Sequence, residues 1–533
     1  IMSFVTPYGA YLDLGTYGKT WYFDVTDFAP ILKGLKRINM TSGGQWQEDM
    51  DIKFHFIVGT PSRDVVDIQQ IWRPQSKGYT SILNENSFEP RDVKLNPNAV
   101  SYKLRTVITG HGQEGEFISR DHYLNINGGN IEYTWPVWTE CGGNPIYPQG
   151  GTWIYDRAGW CPGQASDLRE DDITSLVTPG QTHNIDYGVT SASGTSNYWV
   201  SSQLVSYKAP NHNIDASVID IISPTDKVKY SRINPTCGKP KIIIKNTGST
   251  NLTSLKIEYW INGSTTKEVQ IWSGNLDFEE QETVELDAPS SIWDNLLSSN
   301  KFYVEISEPN LSTDENIFNN YINSTFEPTP SYDNVFALWM QTNSGSIGLN
   351  QSETSWKIFD RDNNLTYESA GGGNLMINSQ YRDTLIFDDG CYSFVMTDTD
   401  DDGIDFWANN DGAGMARFRE IGASWLKVFE GDFGSFIHHE FQVNNSISYI
   451  QEDINTWTFY PNPAKNQVTI SGVSNGITDL ILLDSLGKQL KKITFDINGD
   501  FKKNLDLSYL KDGVYMLKVI TNSEEILKKV VKI

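Results

Sequence analysis

Asp156-Arg157-Ala158-Gly159-Trp160-Cys161-Pro162-Gly163 sets a carboxylate, a guanidinium, an indole and a thiol into one run punctuated by glycine and proline. Two other stretches carry similar chemistry. One is Leu104-Arg105-Thr106-Val107-Ile108-Thr109-Gly110-His111-Gly112, continued by Glu114-Gly115-Glu116-Phe117; the other is Trp135-Pro136-Val137-Trp138-Thr139-Glu140-Cys141. Aromatic faces stack on sugar rings, carboxylates and arginine bind hydroxyls and amides, and glycine-rich loops allow close approach. The set suits a carbohydrate site, although Trp and Arg also build the cores of loops.

The surroundings of these loops point to strands. The chain has 533 residues, too many for one hydrophobic core. It carries 43 Gly, 12% aromatic residues, Asn-rich turns and many Val/Ile/Thr runs, and no window keeps a helical period for more than a few turns. The expectation is an all-β chain: tandem jelly-roll sandwiches, an immunoglobulin-like sandwich, a further β domain and a small C-terminal β-sandwich. A formal net charge of -25 excludes the concentrated basic surface that nucleic acid needs. No apolar run approaches the ~20 residues of a membrane helix. Ile1-Met2-Ser3-Phe4-Val5-Thr6-Pro7-Tyr8 has neither a basic nor an apolar leader region and reads as the middle of a strand, so a signal peptide and further chain are expected upstream. Cys141 and Cys161 flank a Gly/Pro-rich loop that a disulfide between them could close.

Composition divides the chain into segments. Residues 1–208 are rich in Trp, Tyr and Gly, with strands expected at 53–58, 102–109, 122–126 and 198–206. Residues 215–328 change to short alternating strands separated by turns such as Asn262-Gly263, at the spacing of an immunoglobulin-like sandwich serving as an adhesion-type spacer. The Glu327-Pro328-Thr329-Pro330 linker favours extended backbone. Residues 331–443 form another β domain, and 456–533 a small terminal one with strands at 467–470 and 478–483.

Asp398-Thr399-Asp400-Asp401-Asp402-Gly403 places carboxylates at alternate positions before a glycine that permits a sharp turn. Such carboxylates converge on one hard cation, and the expectation is a structural calcium held by Asp398, Asp400, Asp402 and Asp405, with the Ile404 carbonyl. The twelfth position is Asn409 and not Glu, so a helix-loop-helix calcium hand is not supported. Among the seven histidines, His438 and His439 are adjacent and point to opposite faces of a strand.

Two resemblances follow from the motifs. Tyr460-Pro461-Asn462-Pro463, then Asp506-Leu507-Ser508 and Gly513-Val514-Tyr515, then the Lys-rich Leu527-Lys528-Lys529-Val530-Val531-Lys532-Ile533, resemble the type A sorting domain of type IX secretion cargo in Bacteroidetes. This resemblance implies export across the outer membrane, recognition of residues 456–533 by the translocon and its outer-membrane shuttle, and removal of the domain or anchoring at the cell surface.

The run 156–163, with the 104–112 stretch and Cys141-Gly142-Gly143-Asn144-Pro145, resembles the second jelly roll of the peptide:N-glycosidase F family, covering 63–208. Phe4–Tyr8, Phe23-Asp24-Val25-Thr26-Asp27-Phe28 and Val58-Gly59-Thr60-Pro61 resemble the end of its first, at 1–62. That family hydrolyses the bond between Asn and N-acetylglucosamine in the cleft between its sandwiches. By resemblance, Glu116 stabilises the reacting amide and leaving group, and Arg157 orients the core sugar or a bound water. His111, Phe117 and Trp160 are the substrate-binding set, and Cys141–Cys161 matches a family disulfide. The departures are equally specific. The principal catalytic aspartate would lie before Ile1, and the first-domain glutamate would fall near Thr41-Ser42-Gly43-Gly44, which has no carboxylate. Gln45-Trp46-Gln47-Glu48 could substitute with a shifted loop, and Phe117 replaces a tryptophan. Two readings follow: an amidase releasing Asn-linked glycans, or a catalytically degenerate surface protein that binds a glycan or glycoprotein.

Overall fold

Strand Leu252–Ile261 buries Leu255, Ile257, Tyr259 and Ile261 and leaves Lys256, Glu258 and Trp260 partly exposed. This period of two repeats through the chain and sorts its apolar side chains into sandwich cores. The computed structural model describes residues 4–9, 12–15, 18–39, 50–128, 131–191, 194–294, 296–297, 299–422, 424–444, 457–484, 488–521 and 525–533. The fold is all-β. It divides into two units, 1–444 and 445–533.

In the larger unit, one sandwich pairs Arg63–Gly78, Asn197–Pro210, Ser101–His111 and Leu168–Asp172 in one sheet. Its second sheet orders Arg91–Lys94, Thr182–Val189, Arg120–Ile126 and Ile131–Val137. Leu104, Ile108, Leu124, Ile185, Tyr198 and Leu204 close the core between them. Residues 215–328 form sheets of three and four strands, and 331–443 sheets of five and four.

Residues 1–62 depart from the expected jelly roll. Among their described residues no strand forms; they hold two short helical turns, Thr26–Phe28 and Ala29–Leu32, and one bridge from Phe4 to Ala165. Asp27 pairs with Arg105, and Phe28 is buried beneath the same guanidinium, so this segment covers one face of strand Ser101–His111. The strand expected at 53–58 is also missing. Phe54, Phe56, Ile57 and Val58 lie exposed with no ladder partner among the described residues, and alternation without a hydrogen-bonding partner does not make a strand. Residues 41–48, where the resemblance places a glutamate, lie outside the described residues.

The segment expected to be a spacer is wedged between its neighbours. Arg232, on the short helix Val228–Ile233, is buried and donates to four carbonyls: Asn144 (2.8 Å), Gly142 (3.0 Å), Phe433 (2.9 Å) and Phe436 (2.7 Å). The Tyr147 ring lies 3.6 Å from its guanidinium carbon. Burial lowers its pKa to about 10, which leaves it charged at neutral pH. A disulfide not anticipated from sequence, Cys237–Cys391, links 215–328 to 331–443 across 154 residues. Beside it, Glu440 accepts hydrogen bonds from Thr236 Oγ1 and the Cys237 and Gly238 amides at 2.7–2.9 Å. Ser331–Tyr332, following the Pro-rich linker, pairs in parallel with Gln442 and Val443.

In the smaller unit, the strands expected at 467–470 and 478–483 merge into one, Gln467–Leu483, paired along its length with Gln489–Asp506. Its first part also pairs with Thr458–Tyr460 and its last with Gly513–Ile520, closing a core of Val468, Ile470, Leu480, Leu505 and Leu517.

Arg232→Met should destabilise the larger unit by about 3 kcal/mol, because four buried carbonyls lose their donor; denaturant unfolding followed by tryptophan fluorescence measures it. The Cys237→Ser/Cys391→Ser variant should lower the melting temperature of the same transition, as an open 154-residue loop raises the entropy of the unfolded chain. An unchanged transition would remove the disulfide from the joint.

Candidate functional site

Loop 139–163 is folded by local hydrogen bonds before any ligand is considered. Thr139 and Arg157 exchange backbone hydrogen bonds at 2.7 and 3.1 Å, the Asp156 carboxylate accepts the Cys141 amide at 2.9 Å, and Cys141–Cys161 joins the two limbs. Gly159 has φ +78°, and a Cβ there would meet the Ile108 carbonyl oxygen at 2.0 Å. Only glycine lets the loop lie this close to strand Ser101–His111. The Ala158 amide then reaches the Glu116 carbonyl at 2.9 Å, which docks the turn Gln113–Phe117 on the loop.

This packing brings five of the residues singled out from sequence into one cluster. Arg157 Nε meets Glu116 Oε1 at 3.0 Å. The Arg157 side chain is 0% exposed and that of Glu116 18%. The remaining guanidinium hydrogens go to the Thr152 carbonyl (2.7 Å), the Tyr155 carbonyl and the Tyr8 hydroxyl (3.3 Å). Arg157 therefore stands buried behind the partly exposed Glu116. Trp160 and Phe117 flank the guanidinium at 5.1 and 5.2 Å. Trp160 is itself buried, donating to the Gly110 carbonyl at 3.0 Å, with His111 stacked on it. Burial raises the pKa of Glu116, opposed by the Arg157 charge and hydrogen bond, and lowers that of His111. Glu116, Phe117 and the more exposed Tyr155 form the accessible face.

Tyr8, Thr152 and Tyr155 were not assigned from sequence. Tyr8 and Tyr155 sit in stretches already notable for aromatics, but nothing in the stretches says that they meet. A concavity of about 240 Å³ lined by Trp135, Trp138, Asp167 and Arg169 holds none of the Glu116 cluster.

The 331–443 domain abuts this loop. Trp153 donates to Asp432 at 3.0 Å, the Ser435 amide donates to the Gly142 carbonyl at 3.0 Å, and Phe406 packs on Trp153, Ile154 and Tyr155. Phe406 lies just beyond the Asp-rich loop, whose geometry differs from the sequence expectation. Asp398 is spent on shaping the loop: Oδ1 accepts the Asp400 and Asp402 amides at 3.3 Å, and Oδ2 accepts Thr354 Oγ1 at 2.9 Å. Asp405 lies against Gly431, its amide donating to the Gly431 carbonyl at 3.2 Å, and is not part of the carboxylate group that converges. The carboxylates that converge are Glu353, Asp402 and Asp411, with one oxygen from each within 4.8 Å of the others. Burial, then repulsion from neighbouring carboxylates, raises Glu353 to about 7 and Asp402 to about 6, and Asp398 rises to about 8 for the same reasons. Glu353 lies 45 positions before Asp398 (398 minus 353), where no local motif could mark it. A second grouping, Cys237, Cys391 and Glu440, offers no thiolate because its sulfurs are joined.

Among the described residues no helix is long and apolar enough to cross a membrane. Residues 78–205 match the family model "Peptide-N-glycosidase F, C terminal", and residues 458–533 match "Secretion system C-terminal sorting domain". A curated relative, peptide-N(4)-(N-acetyl-beta-D-glucosaminyl)asparagine amidase F of Elizabethkingia miricola, is 30% identical over 213 residues, covering 35% of this chain and 56% of its own length. The chain thus spans little more than half of that relative. The solved structure of PNGase F, a glycosylasparaginase from Flavobacterium meningosepticum, shows 27% identity over 28% of this chain and 54% of that one, at a TM-score of 0.25. A second amidase structure, at 2.2 Å resolution, shows 29% identity over 22% and 43%, at a TM-score of 0.21. This chain therefore joins a segment similar to the C-terminal domain of peptide-N-glycosidase F to a C-terminal secretion sorting domain, and is a secreted or cell-surface protein.

Proposed function

We propose that this exported protein is an amidase acting on Asn-linked glycans, with Glu116 at its reacting face and Arg157 as the residue that positions it. The observation that carries this reading is the Glu116–Arg157 pair, which stands within the segment matching the peptide-N-glycosidase F description. In the reaction, water adds to the Asn side-chain carbonyl carbon, the carbon–nitrogen bond breaks, and the nitrogen leaves protonated on the intact sugar, so that Asn becomes Asp. Glu116 accepts hydrogen bonds from the amide and leaving nitrogen as charge shifts. The fixed guanidinium behind it keeps the carboxylate ionised and aimed. Phe117 and Tyr155 supply aromatic faces for the sugar. Residues 456–533 engage the type IX translocon and its outer-membrane shuttle.

One observation favours the alternative, a surface protein that binds glycans without cleaving them. Among the described residues, the charge bearing on Glu116 is that of Arg157, and activating water calls for a further carboxylate.

Incubation of purified full-length protein with a denatured N-glycoprotein separates the two. Release of intact glycan with Asn converted to Asp, reduced about 10²–10³-fold in kcat/KM by Glu116→Gln, supports the amidase. Retention of the glycoprotein on immobilised protein without release supports binding, and neither release nor retention sinks both. The pH profile of kcat/KM carries a second expectation. Because the pKa of Glu116 is raised and its ionised form is the working one, activity should climb with pH through a midpoint above the usual glutamate range. A flat acid limb would remove Glu116 from the rate.

A further inference from the structure

We propose that Glu353, Asp402 and Asp411 bind a divalent cation of calcium's character, and that this ion holds the 398–411 loop against the candidate site. The ligand oxygens lie within 4.8 Å of one another, the span that Ca–O bonds of about 2.4 Å allow. Two carboxylate oxygens of these residues point to a ligand site instead of a solvated acidic turn. Glu353 is 3% exposed and Asp402 4%, and Glu353 Oε1 and Asp402 Oδ1 have no hydrogen-bond partner. A buried carboxylate oxygen without a donor is costly, and one close to two other carboxylates more so, unless a cation completes it.

The surroundings are built for such an ion. A Cβ on Gly345 would fall 1.6 Å from Glu353 Oε1, so a larger residue there would displace that carboxylate from its present position. Ser344 holds Asp411 by donating both its amide (2.7 Å) and its hydroxyl (2.9 Å) to the Asp411 carbonyl. Asn409 donates to the other Asp402 oxygen. The ligands come from three places in the chain: the start of strand Thr354–Asp360, the Asp-rich turn, and the loop before strand Met415–Glu420. An ion among them cross-links those loops.

Between Asp402 and Asp411 lie Phe406, packed on Tyr155, and Trp407, whose indole donates to the Gly151 carbonyl at 3.4 Å. Asp401, in the same turn, lies against Gly142. The ion thus holds together the part of this domain that supports loop 139–163. Hard carboxylate oxygens without His or thiolate ligands select calcium over zinc or copper.

The test uses the full-length protein stripped with a chelator and titrated with calcium chloride by calorimetry and thermal melting. Expected are one site per chain, with a dissociation constant on the order of 10⁻⁴ M or tighter, and a melting temperature raised by about 5 °C at hundred-fold excess. Asp411→Asn, at the half-buried ligand, should weaken calcium binding at least about ten-fold. Asp405→Asn, three residues beyond Asp402 but outside the cluster, should leave it unchanged. No heat and no melting shift on the wild-type protein at ~10 mM calcium would overturn the proposal. So would equal affinity in the wild type and Asp411→Asn. Neither readout depends on glycan release.

Discussion

The Arg232 guanidinium, buried among four carbonyls from two other domains, is the contact on which the arrangement of residues 1–444 rests. A charged group that loses its water must recover hydrogen bonds inside the protein, and Arg232 makes four, to Gly142, Asn144, Phe433 and Phe436. These carbonyls belong to backbone that would otherwise need water at a closed interface. The same contact therefore satisfies donor and acceptors together, and it fixes the position of Gly142, the residue at the root of loop 139–163. The Cys237–Cys391 disulfide and the Glu440 amide cradle stand on the same joint.

From that root the geometry runs outward to the candidate site. Gly142 is held from one side by Arg232 and from the other by the Ser435 amide, and Cys141 is tied to Cys161. Between these anchors, Arg157 threads its guanidinium inward, where backbone carbonyls and Glu116 consume its donors. A buried arginine so fully bonded behaves as a rigid strut. Its effect at the surface is to hold one carboxylate, Glu116, in a fixed direction with its charge compensated. Trp160 and His111 pack behind this strut, while Phe117 and Tyr155 border the open face.

Different parts of this arrangement were legible in the sequence to different degrees. The alternation in Leu252–Ile261 named its own inward residues, because the period of a strand is set by the backbone alone. The loop residues Glu116, Arg157 and Trp160 were legible as a chemical set, and they do converge. Their burial was not legible: Arg157 and Trp160 stand in the interior, since exposure depends on what folds over them. The alternating carboxylates of 398–402 announced an acidic turn, yet Asp398 is consumed by the Asp400 and Asp402 amides and Asp405 stands outside the group of carboxylates that converges. At 53–58 the alternation is present and the strand is not, because a strand needs a neighbouring edge that its own residues cannot supply.

The sequence by itself determined what local chemistry determines. It settled the all-β class from side-chain periodicity, the set of carboxylate, guanidinium and aromatic groups in 104–163 from residue types, and the terminal sorting segment from its own motifs. The tertiary structure alone decided which distant groups meet. It joined Cys237 to Cys391, placed Arg232 among carbonyls of two other domains, and set Glu353 and Asp411 beside Asp402. The physical reason is range. Backbone period and turn chemistry act over a few residues and are written where they act, whereas a buried charge selects its partners across tens to hundreds of residues, according to how the whole chain packs.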